Sequence, residues 1–248
     1  MTKWVESDDG SYTAYSPEYD EHYHSTKDGA LNESLKKHIE PAFTLYGEKE
    51  HLKIIDICFG LGFNTLLSLY YRDRYFPNMT LEIYSPELDG ALVASLVDFP
   101  YPEIFKPYQK VIKELAAAGQ YEDEWTRITV EITDARVAMR ELEGIWDVCY
   151  QDAFSPASNP VLWTREYFAD VARLIGNEGI VTTYSMALAT RLALYENGLN
   201  IYLNQGEGYR SASVASVREL ENLEKIDMEH KIACNPDATS LRDENLAL

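Results

Sequence analysis

The sequence predicts an α/β fold built on an open, mostly parallel sheet. Compact apolar runs typical of buried strands alternate with segments of helical periodicity, from residue 52 to about residue 218. Two of these runs end in loops rich in glycine or proline, residues 60–62 (GLG) and 152–160 (DAFSPASNP). Because open α/β sheets bind ligands outside the carboxyl ends of their strands, these two loops predict the functional face.

Composition and charge limit the function classes. The chain has 248 residues, of which 46% are hydrophobic and 25% charged, enough for one domain with a full core. A formal net charge of −19 argues against a nonspecific nucleic-acid binder and is compatible with a small cationic substrate. The cysteines Cys58, Cys149 and Cys234 have no metal or redox spacing, and no run approaches a membrane span. A cytoplasmic location is expected.

We expect three segments. Residues 1–50 form an N-terminal extension that packs on the active-site face and contains one helix, from about Gly29 to Phe43. Residues 51–218 form the main domain, and residues 219–248 form a charged tail. His22 and His24 alternate on the extension as candidate metal ligands, but the polar segment around them favours surface positions, so no metal site is expected.

The first core strand and its loop predict a cofactor site. Residues 52–59 (LKIIDICF) predict a buried strand, GLG turns the chain, and helical periodicity follows from Phe63 to about Tyr75. A Gly-x-Gly signal between a strand and a helix indicates a nucleotide-like cofactor. The third glycine of the dinucleotide turn is replaced by Thr65, so we do not expect NAD.

Two later strands deliver carboxylates to the same edge. The strand over residues 80–84 leads to Glu87, which is suited to the hydroxyls of a ribose, with Asp89 as a close competitor. The strand over residues 128–133 ends at Asp134, which is suited to an adenine amino group. The remaining predicted elements are a loop with one short helix over 97–124, helices over 136–142, 164–175 and 185–196, and strands over 145–150, 179–184, 199–203 and 212–217.

Three motifs together resemble a known family. Residues 56–64 (DICFGLGFN), 85–87 (SPE) and 152–163 (DAFSPASNPVLW) are similar to the methyltransferase component of the MnmC family. Residues 19–23 (YDEHY) and 28–33 (DGALNE) resemble its lead-in, so the resemblance covers most of residues 15–218. The DAFSP block is its specific part, whereas the glycine loop alone indicates only a methyltransferase.

The resemblance implies a fold and an activity. The fold is that of a class I S-adenosylmethionine-dependent methyltransferase, with a Rossmann-like, seven-stranded, mostly parallel sheet and an N-terminal extension. The activity is N-methylation of the aminomethyl group on the wobble uridine of tRNA, giving 5-methylaminomethyl(-2-thio)uridine, with S-adenosyl-L-methionine as cofactor. The expected partners are tRNA and a separate FAD-dependent oxidase acting upstream, since no oxidase half is present in the sequence.

The resemblance also implies roles for individual residues. Asp152 is the candidate catalytic residue, as a carboxylate that positions the acceptor amine. The candidate cofactor-binding residues are Asp56, Phe59, Gly60, Gly62, Asn64, Glu87, Asp134 and Ala135. The candidate acceptor-binding residues are Phe154, Ser155, Pro156, Asn159, Trp163, Tyr184 and Arg210.

The sequence departs from the family pattern at three places. Cys58 stands where the cofactor loop usually has its first glycine, and Ser158 replaces a lysine. The late loop, residues 206–211, keeps Arg210 but contains an acid and lacks the usual cations. The last two departures remove positive charge where tRNA phosphates would lie, which leaves Arg210, Arg165 and Arg191 as candidates for a local basic patch.

Two alternative functions remain open at this point. Polyamine aminopropyl transferases share this sheet and place an aspartate and a proline after the fourth strand. They normally carry a further acid beside that aspartate, and here Ala153 and Phe154 follow Asp152. A non-enzymatic module that binds the nucleoside cofactor is the other alternative, and the acidic composition motivates it.

Overall fold

The computed structural model describes residues 4–246. In chain order the strands are β1 (Trp4–Glu6), β2 (Tyr12–Ser16), β3 (Glu21–His22), β4 (His51–Ile57), β5 (Thr80–Glu87), β6 (Gln120–Glu122), β7 (Thr126–Ile132), β8 (Val148–Gln151), β9 (Ile180–Thr183), β10 (Asn200–Asn204), β11 (Ala212–Ser216) and β12 (Glu224–Lys225). The α-helices are α1 (Ala30–Ser34), α2 (Glu40–Tyr46), α3 (Phe63–Tyr75), α4 (Gly90–Ser95), α5 (Gln109–Ala118), α6 (Ala135–Glu141), α7 (Arg165–Ile175), α8 (Leu188–Tyr195) and α9 (Met228–Cys234). Shorter helical turns are a π-helical segment (Leu35–Ile39) and the 3-10 segments Leu96–Asp98, Glu103–Tyr108, Pro160–Leu162 and Asp243–Asn245.

The main sheet has nine strands in the order β12-β10-β11-β9-β8-β4-β5-β7-β6. Its centre is parallel, through the pairs β4·β5, β4·β8, β5·β7 and β8·β9, and β11 joins it antiparallel to β9. The inner seven strands are the seven that the sequence predicts, which confirms the Rossmann-like fold class. The edge strands β6 and β12 add to that sheet and were not expected.

The strand order places a switch point beside β4. The chain runs from β4 outward through β5 to β7 and then returns to β8 on the other side of β4. At such a point the loops that leave two neighbouring parallel strands diverge and open a crevice at the carboxyl edge of the sheet. Here those loops follow β4 and β8, which are the GLG and DAFSPASNP loops identified in the sequence.

Burial explains why β4 and β8 form the centre. In β8 all four residues are buried, and in β4 the only exposed residue is His51 at its start. Strands covered on both faces need nearly continuous apolar sequence, which both supply. Asp56 is the buried polar residue of β4, at 1% exposure, whereas His51 and Lys53 retain solvent contact.

The N-terminal segment packs against the sheet's helical layer and β9. β1, β2 and β3 form a separate three-stranded sheet, which the sequence did not predict. The helix expected from about Gly29 to Phe43 runs instead from Ala30 to Tyr46 and includes the π-helical segment Leu35–Ile39. Asn204 Nδ2 donates to the Lys36 carbonyl at 2.9 Å, and Tyr46 Oη donates to the Glu178 carbonyl at 2.6 Å.

The residues after 218 return to the main domain. β12 pairs with β10, and the Arg165 amide donates to the Leu241 carbonyl at 2.8 Å. Arg136 forms an ion pair with Asp243 and also donates to the Val161 carbonyl at 3.0 Å, near the loop that follows β8. Over residues 4–246, no helix is both long enough and apolar enough to cross a membrane.

Candidate active site

A cavity of about 840 Å³ lies at the carboxyl edge of the central strands. Its walls come from the N-terminal segment (within 16–37), the loop after β4 (58–64), the ends of β5 (86–89) and β7 (133–135), the loop after β8 (152–162), and parts of 184–211. Most of the predicted site residues line it: Phe59, Gly60, Asn64, Glu87, Asp134, Ala135, Asp152, Phe154, Ser155, Asn159, Tyr184 and Arg210. Asp56, Gly62, Pro156 and Trp163 are not among the lining residues.

The loop after β4 has a left-handed backbone at three positions. The φ angles are +64° at Cys58, +53° at Gly60 and +74° at Gly62. A Cβ on Gly62 would lie 3.0 Å from Phe59 Cζ, and one on Gly60 would lie 3.2 Å from Tyr23 Cδ1. Gly62 thus shapes the turn into α3, while Gly60 provides a flat stretch of wall in the cavity.

Cys58 adopts the conformation that a glycine would favour, although it carries a side chain. A left-handed conformation costs a non-glycine residue on the order of 1–2 kcal/mol. We therefore expect Cys58→Gly to have a higher free energy of unfolding than Cys58→Ala, by about 1 kcal/mol, because only glycine relieves the strain. Urea denaturation of the two variants measures this difference. A Cys58→Ala protein as stable as Cys58→Gly would contradict the positive φ angle.

The Glu87 carboxylate holds the loop after β4 in place. Its Oε2 accepts the Gly60 amide at 2.9 Å, and its Oε1 accepts the Asp89 amide at 2.8 Å. Burial raises the pKa of Glu87, although these two amides favour its charged form. Each carboxylate oxygen keeps a lone pair, so Glu87 holds the glycine loop and still has acceptors for ligand hydroxyls.

Asp134 lies at the N-terminus of α6. Its side chain caps the helix by accepting the Arg136 amide at 2.7 Å. Asp134 and Ala135 both line the cavity at the end of β7, so the carboxylate serves the helix terminus and also faces the cavity.

Asp56 supports the loop from below and is not part of the cavity wall. Asn64 Nδ2 donates to Asp56 Oδ1 at 3.2 Å, and Thr65 Oγ1 donates to Oδ2 at 2.8 Å. Burial raises the pKa of Asp56 to about 8, against the opposing hydrogen bond from Thr65. Its position fits an anchor for the first turn of α3, so the cofactor-binding role expected of Asp56 would act through the loop.

Asp152 stands at the switch point with a side chain that is 9% exposed. Asn64 Nδ2 donates to its Oδ2 at 2.8 Å, and His38 Nε2 lies 3.4 Å from its Oδ1. Burial opposes ionisation, but His38 and then His24 favour the charged form, so the pKa of Asp152 lies below its usual value. The cavity therefore presents a carboxylate at neutral pH.

Side chains from outside the loop after β8 hold its backbone. Trp163 Nε1 donates to the Phe154 carbonyl at 2.7 Å, and Tyr184 Oη donates to the Ala153 carbonyl at 2.8 Å. Trp163 is fully buried, so it braces the loop from behind and does not form the pocket wall that the sequence suggested. Pro156 also lies outside the cavity wall, whereas Tyr184 is part of it.

The N-terminal segment supplies contacts that the sequence analysis did not anticipate. Glu21 Oε2 accepts the Ser155 amide at 3.0 Å, and Ser158 Oγ donates to Glu21 Oε1 at 2.7 Å. Tyr19 stacks on Phe154 with ring centroids 4.5 Å apart, and Tyr23 is tilted against Phe154 at 5.0 Å. The aromatic spacing of the YDEHY segment was the available signal for these contacts.

Of the three expected basic residues, Arg210 lines the cavity, whereas Arg165 and Arg191 do not. Arg210 reaches the cavity mouth, with its Nε 2.8 Å from Asp28 Oδ2 and a side chain that is 67% exposed. Arg191 is 9% exposed and donates to Ser213, so it cannot join a surface patch. In the part of the chain that the structure describes, no cluster of three or more potential metal-ligating side chains occurs.

Comparison with known proteins identifies the family. Residues 101–219 match the family model described as an S-adenosyl-L-methionine-dependent methyltransferase. The crystal structure of MnmC2 from Aquifex aeolicus is 30% identical, aligns with 100% of this chain and 81% of that chain, and has a TM-score of 0.85. The chain belongs to the MnmC2 family. It is an S-adenosyl-L-methionine-dependent methyltransferase, which confirms the predicted enzyme class and cofactor.

Two curated relatives are also similar to this chain in sequence. An uncharacterised protein from Methanocaldococcus jannaschii is 27% identical over 98% of this chain and 68% of its own length. The tRNA 5-methylaminomethyl-2-thiouridine biosynthesis bifunctional protein MnmC of Paraburkholderia xenovorans is 27% identical over 81% of this chain. The match spans 32% of that bifunctional protein, about a third of its length. None of these comparisons favours aminopropyl transfer or a non-enzymatic module over the MnmC2 assignment.

Proposed function

We propose that this MnmC2-family methyltransferase methylates the exocyclic primary amine of 5-aminomethyl(-2-thio)uridine at the wobble position of tRNA. The observation that carries the proposal is the buried Asp152 carboxylate, which lines the cavity at the switch point and is hydrogen-bonded to Asn64 beside the glycine loop. The printed function of the bifunctional MnmC relatives supports this choice of substrate. We also infer a cytoplasmic location and an FAD-dependent oxidase that acts upstream on the same nucleoside.

The cavity residues fit S-adenosyl-L-methionine. A volume of about 840 Å³ accommodates a nucleoside cofactor together with part of an acceptor. Gly60 permits close approach of the amino-acid portion of the cofactor, Glu87 offers acceptors to the ribose hydroxyls, and Asp134 to the adenine amino group. Phe59, Asn64 and Ala135 complete the proposed cofactor wall, while Asp56 and Gly62 act through the loop.

The charge of the cavity supports a cationic acceptor. Seven carboxylates line it: Glu18, Glu21, Glu33, Glu87, Asp89, Asp134 and Asp152. The permanent cations in the same lining are Lys37 and Arg210, and each is 2.6–2.8 Å from a carboxylate. The negative field of these carboxylates concentrates cations. Because a free alkylamine is protonated at neutral pH, this field attracts the amine substrate that we propose.

In the proposed reaction Asp152 holds and orients the amine by accepting a hydrogen bond from one of its N–H groups. When bound, S-adenosylmethionine would supply the methyl group: the amine lone pair would form the N–C bond, the C–S electron pair would stay on sulfur, and the resulting ammonium would lose its proton to solvent. Because Asp152 favours the ammonium form, it acts mainly as a positioner, and the amine gives its first proton to solvent before attack. Phe154, Ser155, Asn159 and Tyr184 form the proposed acceptor wall.

Arg210 is the proposed contact with tRNA phosphates at the cavity mouth. Asp28 engages only its Nε among residues 4–246, so the two Nη groups can still bind an anion. We expect Arg210→Ala to raise KM for tRNA several-fold, to change kcat little, and to reduce the slope of log affinity against log salt by about one. Steady-state kinetics over a salt series measures all three.

Arg127→Ala is a matched control for that variant. Arg127 Nη2 lies 2.8 Å from Glu122, and its side chain is 60% exposed, but it lies at the start of β7, away from the carboxyl edge of the sheet. The control should leave KM for tRNA and the salt slope unchanged. Equal effects of the two substitutions would remove Arg210 from the tRNA contact.

Nucleoside mass spectrometry tests the proposed function in cells. Total tRNA from cells that contain this chain should carry 5-methylaminomethyluridine or its 2-thio form. Cells without the chain should accumulate the 5-aminomethyl precursor. An unchanged nucleoside profile in the two strains would exclude this acceptor as the substrate.

A further inference from the structure

His38 lies directly behind Asp152 and is completely buried, with 0% exposure. It belongs to the π-helical segment Leu35–Ile39 between α1 and α2. π-Helical turns are rare and are frequently found at functional sites. The His38 ring does not line the cavity. It can therefore affect the reaction only through a neighbouring residue that does, and Asp152 is that neighbour.

The ring nitrogens of His38 face two different partners. Nδ1 is 2.7 Å from Thr182 Oγ1, and Nε2 is 3.4 Å from Asp152 Oδ1. His38 Nδ1 is the hydrogen-bond partner of the Thr182 hydroxyl among the described residues. If that hydroxyl donates to Nδ1, the ring proton resides on Nε2 and points at the carboxylate.

The two carboxylate oxygens of Asp152 therefore face side chains on two different sides. Asn64 on α3 holds Oδ2 at 2.8 Å, and His38 faces Oδ1. The contact of 3.4 Å is long for a hydrogen bond, and His38 Nε2 is among the buried polar atoms without a hydrogen-bond partner in the structure of residues 4–246. Catalytic contacts are often loose before the substrate arrives and shorten when it binds, so a slight movement of Asp152 would complete this one.

We propose that His38 is a positioning residue for methyl transfer, which fixes the Asp152 carboxylate by an Nε2–H donor whose placement is set by Thr182. The proposal rests on the proposed function, in which Asp152 orients the acceptor amine. Three elements then define the carboxylate: the π-helical segment through His38, β9 through Thr182, and α3 through Asn64. Losing one support allows the carboxylate to rotate away from the amine while the cofactor side stays intact.

Two substitutions of His38 separate this role from simple packing. Glutamine places an N–H donor near the position of Nε2, whereas leucine fills the space without a donor. We expect His38→Leu to lower kcat roughly 10-fold to 100-fold, with little change in Kd for S-adenosylmethionine, because orientation of the amine is lost. His38→Gln should recover most of that loss. A folded His38→Leu protein with wild-type kcat, or a glutamine variant as poor as leucine, would overturn the proposal.

Thr182 provides a second pair of variants should the His38 substitutions fail to fold. Thr182→Val is close in shape but removes the hydroxyl that orients the ring, and Thr182→Ser keeps it. The valine variant should lose kcat in the same direction as His38→Leu, and the serine variant should not. Equal kcat values for valine and serine would contradict a role for the hydroxyl.

A measurement without tRNA separates this proposal from the proposed function. Nitrogen-15 NMR of the free protein should show a proton on His38 Nε2 and none on Nδ1 in the neutral ring, and Thr182→Val should disturb that preference. A neutral ring with its proton on Nδ1 would overturn the positioning role. Failure of the wild-type protein to methylate the tRNA would instead count against the proposed acceptor, and would leave the NMR result standing.

Discussion

Asp152→Ala should lower kcat for methyl transfer roughly 10²-fold or more, because a positioned acceptor contributes at least that much to the rate. Cofactor affinity should change much less, since Asp152 follows β8 whereas the main proposed cofactor contacts, Gly60, Glu87 and Asp134, lie at the ends of β4, β5 and β7. Asn64, in the proposed cofactor wall, loses its bond to Asp152 but keeps its bond to Asp56. Single-turnover kinetics with tRNA and calorimetry with S-adenosylmethionine measure the two quantities. Glu124→Ala, which removes an exposed carboxylate, is the control and should match wild type.

Asp152→Asn refines that prediction. Asparagine keeps the shape, but its NH2 group must face either the Asn64 amide donor, now 2.8 Å away, or the proposed His38 donor at 3.4 Å. Two N–H donors then face each other without an acceptor, which is unfavourable. We therefore expect activity between that of wild type and that of Asp152→Ala, nearer to alanine. A folded and fully active Asp152→Ala would refute the assignment, because Ala153 and Phe154 offer no substitute carboxylate.

Glu87→Ala should weaken binding of S-adenosylmethionine by on the order of 1–3 kcal/mol, the range for hydrogen bonds to a charged group. Two effects add here. The ribose hydroxyls lose their proposed acceptors, and the Gly60 amide loses the partner that it has at 2.9 Å. Methyl transfer at saturating cofactor should change less than affinity does, since the acceptor site is untouched. Isothermal titration calorimetry gives the affinity, and kinetics at high cofactor concentration gives the rate.

Glu82→Ala on the same strand is the control for Glu87. Glu82 lies near the opposite end of β5 and interacts with His51 and Lys53 outside the cavity. It should therefore leave the cofactor Kd unchanged. If Glu87→Ala bound the cofactor as tightly as wild type, the neighbouring Asp89 would become the better candidate for the ribose.

The central fold follows from sequence because its elements have strong local signals. The predicted helix from Phe63 to Tyr75 matches α3, since Gly62 sets its start. The helix predicted from Thr164 is α7, whose first turn is capped by Thr164 Oγ1 accepting the Tyr167 amide at 3.2 Å. Buried strands such as β4 and β8 are recognisable because both faces need apolar residues.

The elements that the sequence missed lack such signals. β6 and β12 contain three and two residues, too few to establish an alternating pattern. The β1–β3 sheet is held by pairing within a polar, tyrosine-rich segment, where periodicity is weak. Composition gives no marker for the π-helical segment, because one extra residue in a turn only shifts which side chains face the core.

The candidate site likewise contains residues that a local sequence signal reveals and residues that it does not. The sequence could place Glu87 and Asp152 at the cavity that they line because each follows a predicted strand at the carboxyl edge, where open α/β sheets bind ligands. The sequence predicts Trp163 in the pocket wall and Asp56 among the cofactor-binding residues, whereas in the structure Trp163 braces the loop after β8 and Asp56 anchors the start of α3. His38 was missed because its partners Asp152 and Thr182 are more than a hundred residues away in the chain, a proximity that only the tertiary structure provides.

The most direct test combines the purified chain, methyl-labelled S-adenosylmethionine and tRNA that bears 5-aminomethyluridine, followed by nucleoside mass spectrometry. We expect the label in 5-methylaminomethyluridine with the wild-type protein, and nearly none with Asp152→Ala at equal cofactor occupancy. Label confined to another nucleoside, or equal labelling by the two proteins, would contradict an acceptor-amine site at Asp152.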